Sequence, residues 1–280
     1  MASSRPVIAL MYDFDNTLCT KDMQDYSFIP GLGMAPEDFW QMSRRLAEEA
    51  GMDRILAYMY LMVKKARGKG NPIRRGDLNA LGRDIELYPG VEEWFSRINE
   101  YGAARGMEIQ HFIISSGLKE IIEGSVIARH FQEIYACDFH YDENGEADWP
   151  ALEVNYTTKT QFLFRINKGV RSVSEDGELN RYVPEEDRPV PFRNMIYFGD
   201  GLTDVPCMKL VKVNGGKSVA VYTDRAHVQS LLTDQRVDFI ARADYREGGE
   251  LDCLVKAVIA HMACADKLAG LSRRQAKHME

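Results

Sequence analysis

Apolar residues follow two different spacings along the chain. Short continuous apolar runs rich in β-branched and aromatic residues are typical of buried strands, whereas apolar residues recurring about every three or four positions are typical of helices. The runs predict strands at residues 7–14, 109–115, 134–139, 194–199, 218–222 and 239–241. The helical spacing predicts helices at residues 91–101, 118–130, 159–168, 204–211, 225–233 and 250–268. Because strands and helices alternate, we predict an α/β fold with a Rossmann-like, three-layer, mostly parallel sheet.

A helical segment interrupts this alternation after the first strand. Apolar residues at helical spacing run through residues 36–65 and are broken at Gly51, which predicts two helices. A third short helix is predicted at residues 75–87. The chain is therefore expected to form a core of residues 1–18 and 87–280 and a smaller helical domain of residues 19–86, called the insert below.

Two connections in the second half of the chain have turn or loop composition. The sequence DENG of residues 142–145 predicts a turn, with a small hairpin returning at residues 154–158. Residues 169–191 are polar, contain several prolines and show no periodicity, so we predict a long loop there.

Composition narrows the classes of function. The 280 residues are 45% hydrophobic and 28% charged, as in globular proteins. The 42 Asp and Glu residues outnumber the 35 Lys and Arg residues and give a net charge of -7, which disfavours nucleic acid as a partner. The five cysteines are scattered without C-x-x-C spacing, so neither a disulfide framework nor a zinc site is expected.

The sequence has no pattern of a signal peptide or a membrane span. Its first residues pass from a short polar lead directly into an apolar strand that ends in acidic residues. The longest apolar run, residues 55–63, is far shorter than the roughly 20 residues that cross a bilayer. We therefore expect a cytoplasmic protein with no membrane partner, and the sequence leaves its oligomeric state open.

Two acids follow the first predicted strand. Asp13 and Asp15 belong to the sequence Asp13-Phe14-Asp15-Asn16-Thr17, and residues two apart at a strand end direct both carboxylates toward one crevice. One carboxylate of such a pair attacks an electrophile, while the other gives a proton to the leaving group and later takes one from water. A turn with solvated or capping acids has the same composition.

A second acidic motif follows the strand predicted at residues 194–199. Asp200 and Asp204 lie in the sequence GDGLTD of residues 199–204, where glycines let the backbone approach closely. Carboxylate oxygens suit Mg²⁺, which takes one or two carboxylates, keeps several waters and accepts phosphate oxygens. Asp204 near a helix cap position is the simpler alternative.

Two further features point to an anion. Ser115, Ser116 and Gly117 follow the second predicted strand, and their hydroxyl and N–H groups suit an anion, although helix capping explains them as well. Lys159 opens a predicted helix, where its positive charge gains nothing from the helix dipole. Lys168, later in the same helix, is the alternative cation.

In this order and at these strand ends, the four motifs resemble those of the haloacid dehalogenase superfamily of aspartate-nucleophile phosphotransferases. The members of that superfamily have D-x-D-x-T after the first strand, a Ser or Thr after the second, a Lys at a helix start and an acidic G-D-x-x-x-D strand end. The insert is similar in position to the cap of phosphoserine phosphatase-like members. The resemblance implies that the insert closes over the site and selects the substrate.

The resemblance also implies a role for each motif. Asp13 is implied to be the nucleophile that forms an aspartyl-phosphate, and Asp15 the general acid and base. Ser115, with the two residues after it, and Lys159 are implied to bind the phosphate. In-line attack on phosphorus needs the equatorial oxygens neutralised, and these groups supply that.

The implied cofactor is Mg²⁺. The Asp13 carboxylate, the Asp15 backbone carbonyl and Asp200 are implied to hold the ion, and Asp204 to hold a metal water or to orient the site. Asp15 favours a phosphatase over a dehalogenase, because a halide leaving group needs no proton and an alkoxide does.

The expected reaction is magnesium-dependent hydrolysis of a phosphomonoester, with a small phosphorylated metabolite as the partner. Two alternatives stay open: transfer to an acceptor other than water, as in a mutase, and a catalytically quiet phosphate-binding protein. The sequence does not identify the substrate. The candidates for contacts that select it lie at the two ends of the insert and are Lys21, Asp22, Gln24, Asp25, Tyr26, Arg74 and Arg75.

Overall fold

A computed structural model describes residues 5–277 and has a seven-stranded sheet at its centre. The strand order is β4-β3-β2-β1-β5-β6-β7, and all neighbours pair in parallel except β3 and β4, which form an antiparallel hairpin. The strands are β1 Val7–Tyr12, β2 Glu108–Leu118, β3 Phe131–Tyr141, β4 Ala147–Leu152, β5 Met195–Gly199, β6 Lys217–Tyr222 and β7 Phe239–Arg242.

Helices cover the sheet and form most of the insert. Helix α5 packs on β2 and α11, whereas α9 packs on β5, β6 and α7. The helices are α1 Phe28–Gly31, α2 Pro36–Ala50, α3 Arg54–Gly68, α4 Arg75–Leu81, α5 Val91–Ala103, α6 Lys119–Glu123, α7 Lys159–Lys168, α8 Asp176–Asn180, α9 Val205–Val213, α10 Ala226–Thr233 and α11 Glu250–Lys277. The predicted α/β class is confirmed. No helix within residues 5–277 is long and apolar enough to cross a membrane.

Strand β1 lies in the middle of the sheet, which explains its unbroken apolar sequence. It pairs with β2 on one side and β5 on the other, so no edge is exposed. Residues 8–12 are completely buried. A parallel strand covered on both faces has no solvent side and thus no polar alternation. The strand therefore delivers the residues that follow it to the middle of one sheet edge.

The break at Gly51 divides the insert as predicted. Helix α2 ends there because Gly51 has a φ of 62°, a left-handed conformation that favours glycine. Helix α3 begins at Arg54, and the carboxylate of Asp53 just before it accepts hydrogen bonds from the N–H groups of Ile55 and Leu56. A cap of this kind contributes about 1 kcal/mol to helix stability.

The last part of the insert packs tightly on the core. A β-bridge joins Arg74 to Glu146 on the β3–β4 hairpin. Helix α4 meets α6 backbone to backbone, since a Cβ atom added at Gly124 would lie 1.8 Å from the Asn79 carbonyl oxygen. Only glycine fits at such an approach. The end of the insert is thus fixed to the element that follows β2.

A buried carboxylate lies at this junction. Glu120 on α6 accepts a hydrogen bond from the Tyr141 hydroxyl and lies 3.7 Å from the Arg75 guanidinium. Burial raises the pKa of Glu120 to about 7, and the nearby Asp138 carboxylate adds to the rise, against the hydrogen bond from Tyr141. The folded protein therefore holds a proton on Glu120 at pH values where the unfolded chain has lost it.

Because of Glu120, we expect the free energy of unfolding to fall as the pH rises from about 4.5 to about 7. Above about pH 7 the contribution of Glu120 to this free energy should no longer change with pH. The sign follows because the folded state binds more protons than the unfolded state in this window. Denaturant titrations of the wild type and Glu120→Gln between pH 5 and 8 measure it, and the variant should show the shallower slope. Glu123→Gln, on the same helix but exposed, is the matched control and should keep the wild-type slope.

Two predictions around β3 are wrong. The helix predicted at residues 118–130 is short, because β2 continues to Leu118 and α6 ends at Glu123 before Gly124 packs on the insert. The hairpin returns as β4 directly after the turn, and not at residues 154–158. Strand β4 has an open edge in the described chain, so it tolerates a proline and an exposed Trp149, and its sequence lacks a strand-like apolar pattern.

Two helix ends also differ from the prediction, and the predicted loop has some local structure. Helix α4 ends at Leu81, where a 3-10 turn at Gly82–Asp84 follows, and not at residue 87. Helix α11 runs beyond residue 268 to Lys277. The region 169–191 contains the short helix α8 between irregular segments.

Candidate active site

The four predicted motifs meet at the carboxyl edge of the sheet. Asp13 follows β1, the residues 115–117 end β2 and Asp200 follows β5, and these three strands are direct neighbours. Helix α7 begins at Lys159 and packs near both β2 and α9. Strand ends beside the centre of a parallel sheet form the crevice in which such folds bind ligands.

Lys159 is the only fully buried lysine among the residues whose burial the structure describes, and it joins two motifs. Its Nζ lies 2.8 Å from Asp13 Oδ2 and 2.8 Å from Asp204 Oδ1. Burial opposes the charge on Lys159, but Asp13 and Asp204 outweigh it and raise the pKa of the lysine. The ammonium therefore stays charged and holds the two carboxylates in place.

Three carboxylates gather around this lysine. Oxygen atoms of Asp13, Asp200 and Asp204 all lie within 4.8 Å of one another. One oxygen of Asp204 accepts from Lys159 and from the Tyr197 hydroxyl at 2.8 Å, while the other is buried without a hydrogen-bond partner. A site made only of oxygen donors, with one donor unpartnered, fits a hard divalent cation such as Mg²⁺.

The carboxylates outnumber the positive charge beside them. Burial raises the pKa of Asp13 to about 6, although Lys159 lowers it. Burial, together with the charges of Asp204 and Asp13, raises the pKa of Asp200 to about 8. One ammonium does not neutralise three clustered acids, so the cluster has a deficit of positive charge that a divalent cation would remove.

Asp15 lies beside this cluster but its carboxylate is not part of it. Its Oδ1 accepts a hydrogen bond from the Met23 N–H at 2.9 Å and faces the Cys19 thiol at 3.6 Å. Burial and the charges of Asp22 and Asp13 raise the pKa of Asp15 well above its ordinary value. Two carboxylates two residues apart thus lie in different surroundings, as a nucleophile and a proton carrier require.

The segment 115–117 approaches Asp15 closely. A Cβ atom added at Gly117 would lie 2.0 Å from the end of the Met23 side chain and 3.0 Å from Asp15 Oδ2, so a larger residue would require Met23 to move. The buried Ser115 hydroxyl accepts a hydrogen bond from the Gly117 N–H at 3.0 Å. The Gly117 N–H and the Ser115 hydroxyl are therefore held side by side at the end of β2.

A cleft of about 450 Å³ is lined by residues of the insert. Asp22 lines it and accepts a hydrogen bond at 3.0 Å from Asn16, in the loop after Asp15. The other polar and aromatic residues that line the cleft are Asp25, Glu37, Trp40, Ser43, Arg44, Arg54 and Tyr58. Arg44, Arg54 and Tyr58 were not predicted as site residues. On a helix, a charged residue ordinarily belongs to the solvated face and an apolar or aromatic one to the packed face, so their pattern gave no signal of a cleft.

The candidates for substrate selection divide into two groups. Asp22 and Asp25 line the cleft. Gln24, which lies between them in the sequence, is buried, and its amide oxygen has no hydrogen-bond partner among the described residues. Lys21 lies over the Tyr26 ring, and the Tyr26 hydroxyl donates to the Glu86 carbonyl at the other end of the insert.

Arg74 and Arg75 do not line the cleft. Arg74 pairs with Glu146 at 3.0 Å, and Arg75 reaches Asp138 at 3.4 Å and lies over the Tyr141 ring. Both arginines therefore attach the insert to the β3–β4 hairpin. Their location late in the insert had predicted contacts with the substrate instead.

The structure also separates the two candidate lysines. Lys168 ends α7 and donates to the carbonyls of Leu179 and Arg181 at 2.6 and 2.7 Å. It thus holds the region 169–191 in place, at the opposite end of the helix from Lys159. Only Lys159 contacts the carboxylates of the site.

Fold and site together define an α/β enzyme with paired acids at the end of its central strand. The family model for haloacid dehalogenase-like hydrolases matches residues 10–209. The chain therefore belongs to this family and is a hydrolase of it, which confirms the resemblance drawn from the four motifs.

Similar proteins extend over most of the chain. An uncharacterized protein of Borreliella burgdorferi is 27% identical over an alignment of 273 residues, and the match covers 88% of this chain and 94% of that protein. A HAD family hydrolase of Salmonella enterica serovar Typhi is similar in structure with a TM-score of 0.57 and 19% identity, over 91% of this chain and 72% of that chain. A phosphoserine phosphatase solved as a phospho-aspartyl intermediate analogue has a TM-score of 0.56 and 14% identity, over 90% of this chain and 99% of that chain. These structural likenesses concern the fold.

Proposed function

We propose that the protein is a magnesium-dependent phosphomonoesterase that transfers a phosphoryl group to Asp13 and then to water. The observation that carries the proposal is the position of Asp13, whose carboxylate is held by the buried Lys159 at 2.8 Å within the cluster of acids. The second acid, Asp15, lies next to it with a raised pKa. A binding protein needs no such pair.

Each group of the site has a task in this reaction. An oxygen of Asp13 attacks phosphorus, the ester P–O bond breaks, and Asp15 gives its proton to the leaving oxygen. Asp15 then takes a proton from the water that attacks the aspartyl-phosphate, which frees Asp13 and inorganic phosphate. The Ser115 hydroxyl, the N–H groups of Ser116 and Gly117 and the Lys159 ammonium neutralise the phosphoryl oxygens.

The acid cluster is the proposed place for Mg²⁺. Asp13, Asp200 and the backbone carbonyl of Asp15 would hold the ion, with Asp204 orienting Lys159 and a metal-bound water. When bound, Mg²⁺ supplies positive charge to the phosphoryl oxygens. The unpartnered oxygen of Asp204 and the raised pKa of Asp200 support this assignment.

The insert, residues 19–86, is proposed to act as the cap. Its helices α2 and α3 contribute Trp40, Arg44, Arg54 and Tyr58 to the cleft beside the site. A cavity of about 450 Å³ suits a small molecule. We therefore propose a small phosphorylated metabolite as the substrate, with its organic part in this cleft.

The first test is the release of inorganic phosphate from a panel of small phosphomonoesters, with magnesium and with chelator. We expect release with magnesium and loss of release with chelator. Release of the ester's own alcohol that appears only when a second, acceptor alcohol is added, without matching release of inorganic phosphate, would assign the protein as a transferase instead.

Replacing Asp200 with Asn is expected to raise the magnesium concentration for half-maximal release at least about tenfold, because a neutral amide is a weaker ligand. A magnesium titration of the activity measures this. Asp234→Asn, at an exposed carboxylate after α10, is the matched control and should behave as the wild type. Equal magnesium dependence in all three proteins would contradict the assignment of the ion to this cluster.

A further inference from the structure

The carbonyl of Ser116 receives two hydrogen bonds from outside its own strand. The Tyr58 hydroxyl, on α3 of the insert, donates to it at 2.7 Å. The Cys137 thiol, on β3, donates to it at 3.4 Å. Tyr58 is buried, and burial raises the pKa of its hydroxyl well above the ordinary value, so the group remains a donor. This carbonyl is therefore fixed from the side of the insert.

Fixing this carbonyl also fixes the N–H group that follows it. The peptide bond between Ser116 and Gly117 is trans, like every other in the described residues, so its C=O and N–H point in opposite directions. With the carbonyl held toward Tyr58, the N–H points to the other side, where Ser115 Oγ accepts it at 3.0 Å. If this peptide rotated, a carbonyl oxygen would replace the N–H beside Ser115 Oγ, and it would repel an anion bound there.

Tyr58 also belongs to the wall of the cleft. Its ring meets the Trp40 ring edge to face at 5.7 Å, and the Trp40 indole N–H donates to Asp25 at 2.8 Å. The side chain that holds the Ser116 carbonyl is therefore one that a molecule in the cleft would touch. No other hydrogen bond within residues 5–277 joins a side chain of α2 or α3 to the segment 115–117.

We propose that Tyr58 is a positioning residue, which orients the Ser116–Gly117 peptide so that its N–H faces the transferring phosphoryl group. The inference rests on the proposed function, because it assigns a phosphoryl group to the segment 115–117. It makes the helical insert part of the phosphate site, in addition to the residues at the strand ends.

The test compares the wild type with Tyr58→Phe, which removes only the hydroxyl, and with Tyr60→Phe on the same helix, where the ring is 48% exposed. For Tyr58→Phe we expect kcat/KM to fall about tenfold, mostly in kcat, because the misplaced donor acts on the transition state. The affinity for inorganic phosphate, measured with magnesium by the shift in melting temperature, should fall about threefold. Tyr60→Phe should match the wild type in both.

A purely structural role would give a different pattern. It would lower the melting temperature of Tyr58→Phe without phosphate and leave the kcat of the folded fraction unchanged, and that result would overturn the proposal. Wild-type kcat and phosphate affinity in Tyr58→Phe would overturn it as well. If the wild type neither releases phosphate from esters nor responds to inorganic phosphate, the proposed function itself fails.

The second donor gives an independent route if Tyr58→Phe does not fold. Cys137→Ala removes the longer hydrogen bond to the same carbonyl, so a smaller loss of kcat is expected. Where both variants fold, the double variant should lose more than the product of the single losses, because in each single variant the remaining donor still holds the peptide in part. A shared action on the Ser116 carbonyl would be contradicted by an unchanged kcat in Cys137→Ala together with a double variant whose loss of kcat equals the product of the two single losses.

Discussion

Asp13→Asn is expected to lower magnesium-dependent phosphate release by roughly 10⁴-fold or more, because an amide does not act as the attacking group. The same change removes a carboxylate that Lys159 holds at 2.8 Å, but Lys159 keeps its contact with Asp204. It also relieves part of the repulsion among the clustered acids. We therefore expect the variant to stay folded, and the loss of activity to be chemical.

The measurement is phosphate release under saturating ester and magnesium, with circular dichroism and thermal unfolding on the same samples. Asp142→Asn is a suitable control, since Asp142 lies in the turn before β4, where its carboxylate accepts hydrogen bonds from the N–H groups of Asn144 and Glu146. It should keep wild-type activity. An Asp13→Asn protein that is folded and retains wild-type turnover would remove the nucleophile from the proposal.

Lys159→Met is expected to have the largest effect on stability, and it should abolish activity as well. The substitution preserves most of the side-chain volume but leaves Asp13 and Asp204 buried without their cation. Removing one partner of a buried ion pair typically costs about 3–5 kcal/mol. In the proposed reaction the phosphoryl oxygens also lose a positive charge. Denaturant unfolding in chelator gives the stability, and phosphate release gives the activity.

Lys168→Met is the matched control for this change, on the same helix. Lys168 is bound to two carbonyls beside the region 169–191, and its replacement should cost about 1 kcal/mol and leave activity near the wild type. Lys159→Met with unchanged stability would mean that the two carboxylates are held by other groups. A loss of activity in Lys168→Met as large as in Lys159→Met would contradict the separate roles given to the two lysines.

Much of the core could be predicted from the sequence because the residues that determine its strands and helices lie within those elements. A parallel strand buried on both faces is recognisable as an apolar run, and β1 and β5 occur close to where that pattern places them. Helix α7 begins and ends at the predicted residues, and its end coincides with Gly169 in a left-handed conformation. The short α6 was not predicted correctly, since its end is set by packing on Asn79, which is distant in sequence. Strand β4 was not predicted correctly either, because an open-edge strand carries no strand-like apolar pattern.

The sequence by itself determined which strand ends carry acids and a hydroxyl and which helix begins with a lysine, and this was enough to indicate the family. Tertiary structure alone decided the rest of the candidate site. It placed Lys159 and not Lys168 against Asp13, and it brought Tyr58 to the Ser116 carbonyl across a separation of 58 residues. The physical reason is that a motif at a strand end is positioned by its own backbone, whereas the partner of a helix side chain depends on how the helix packs.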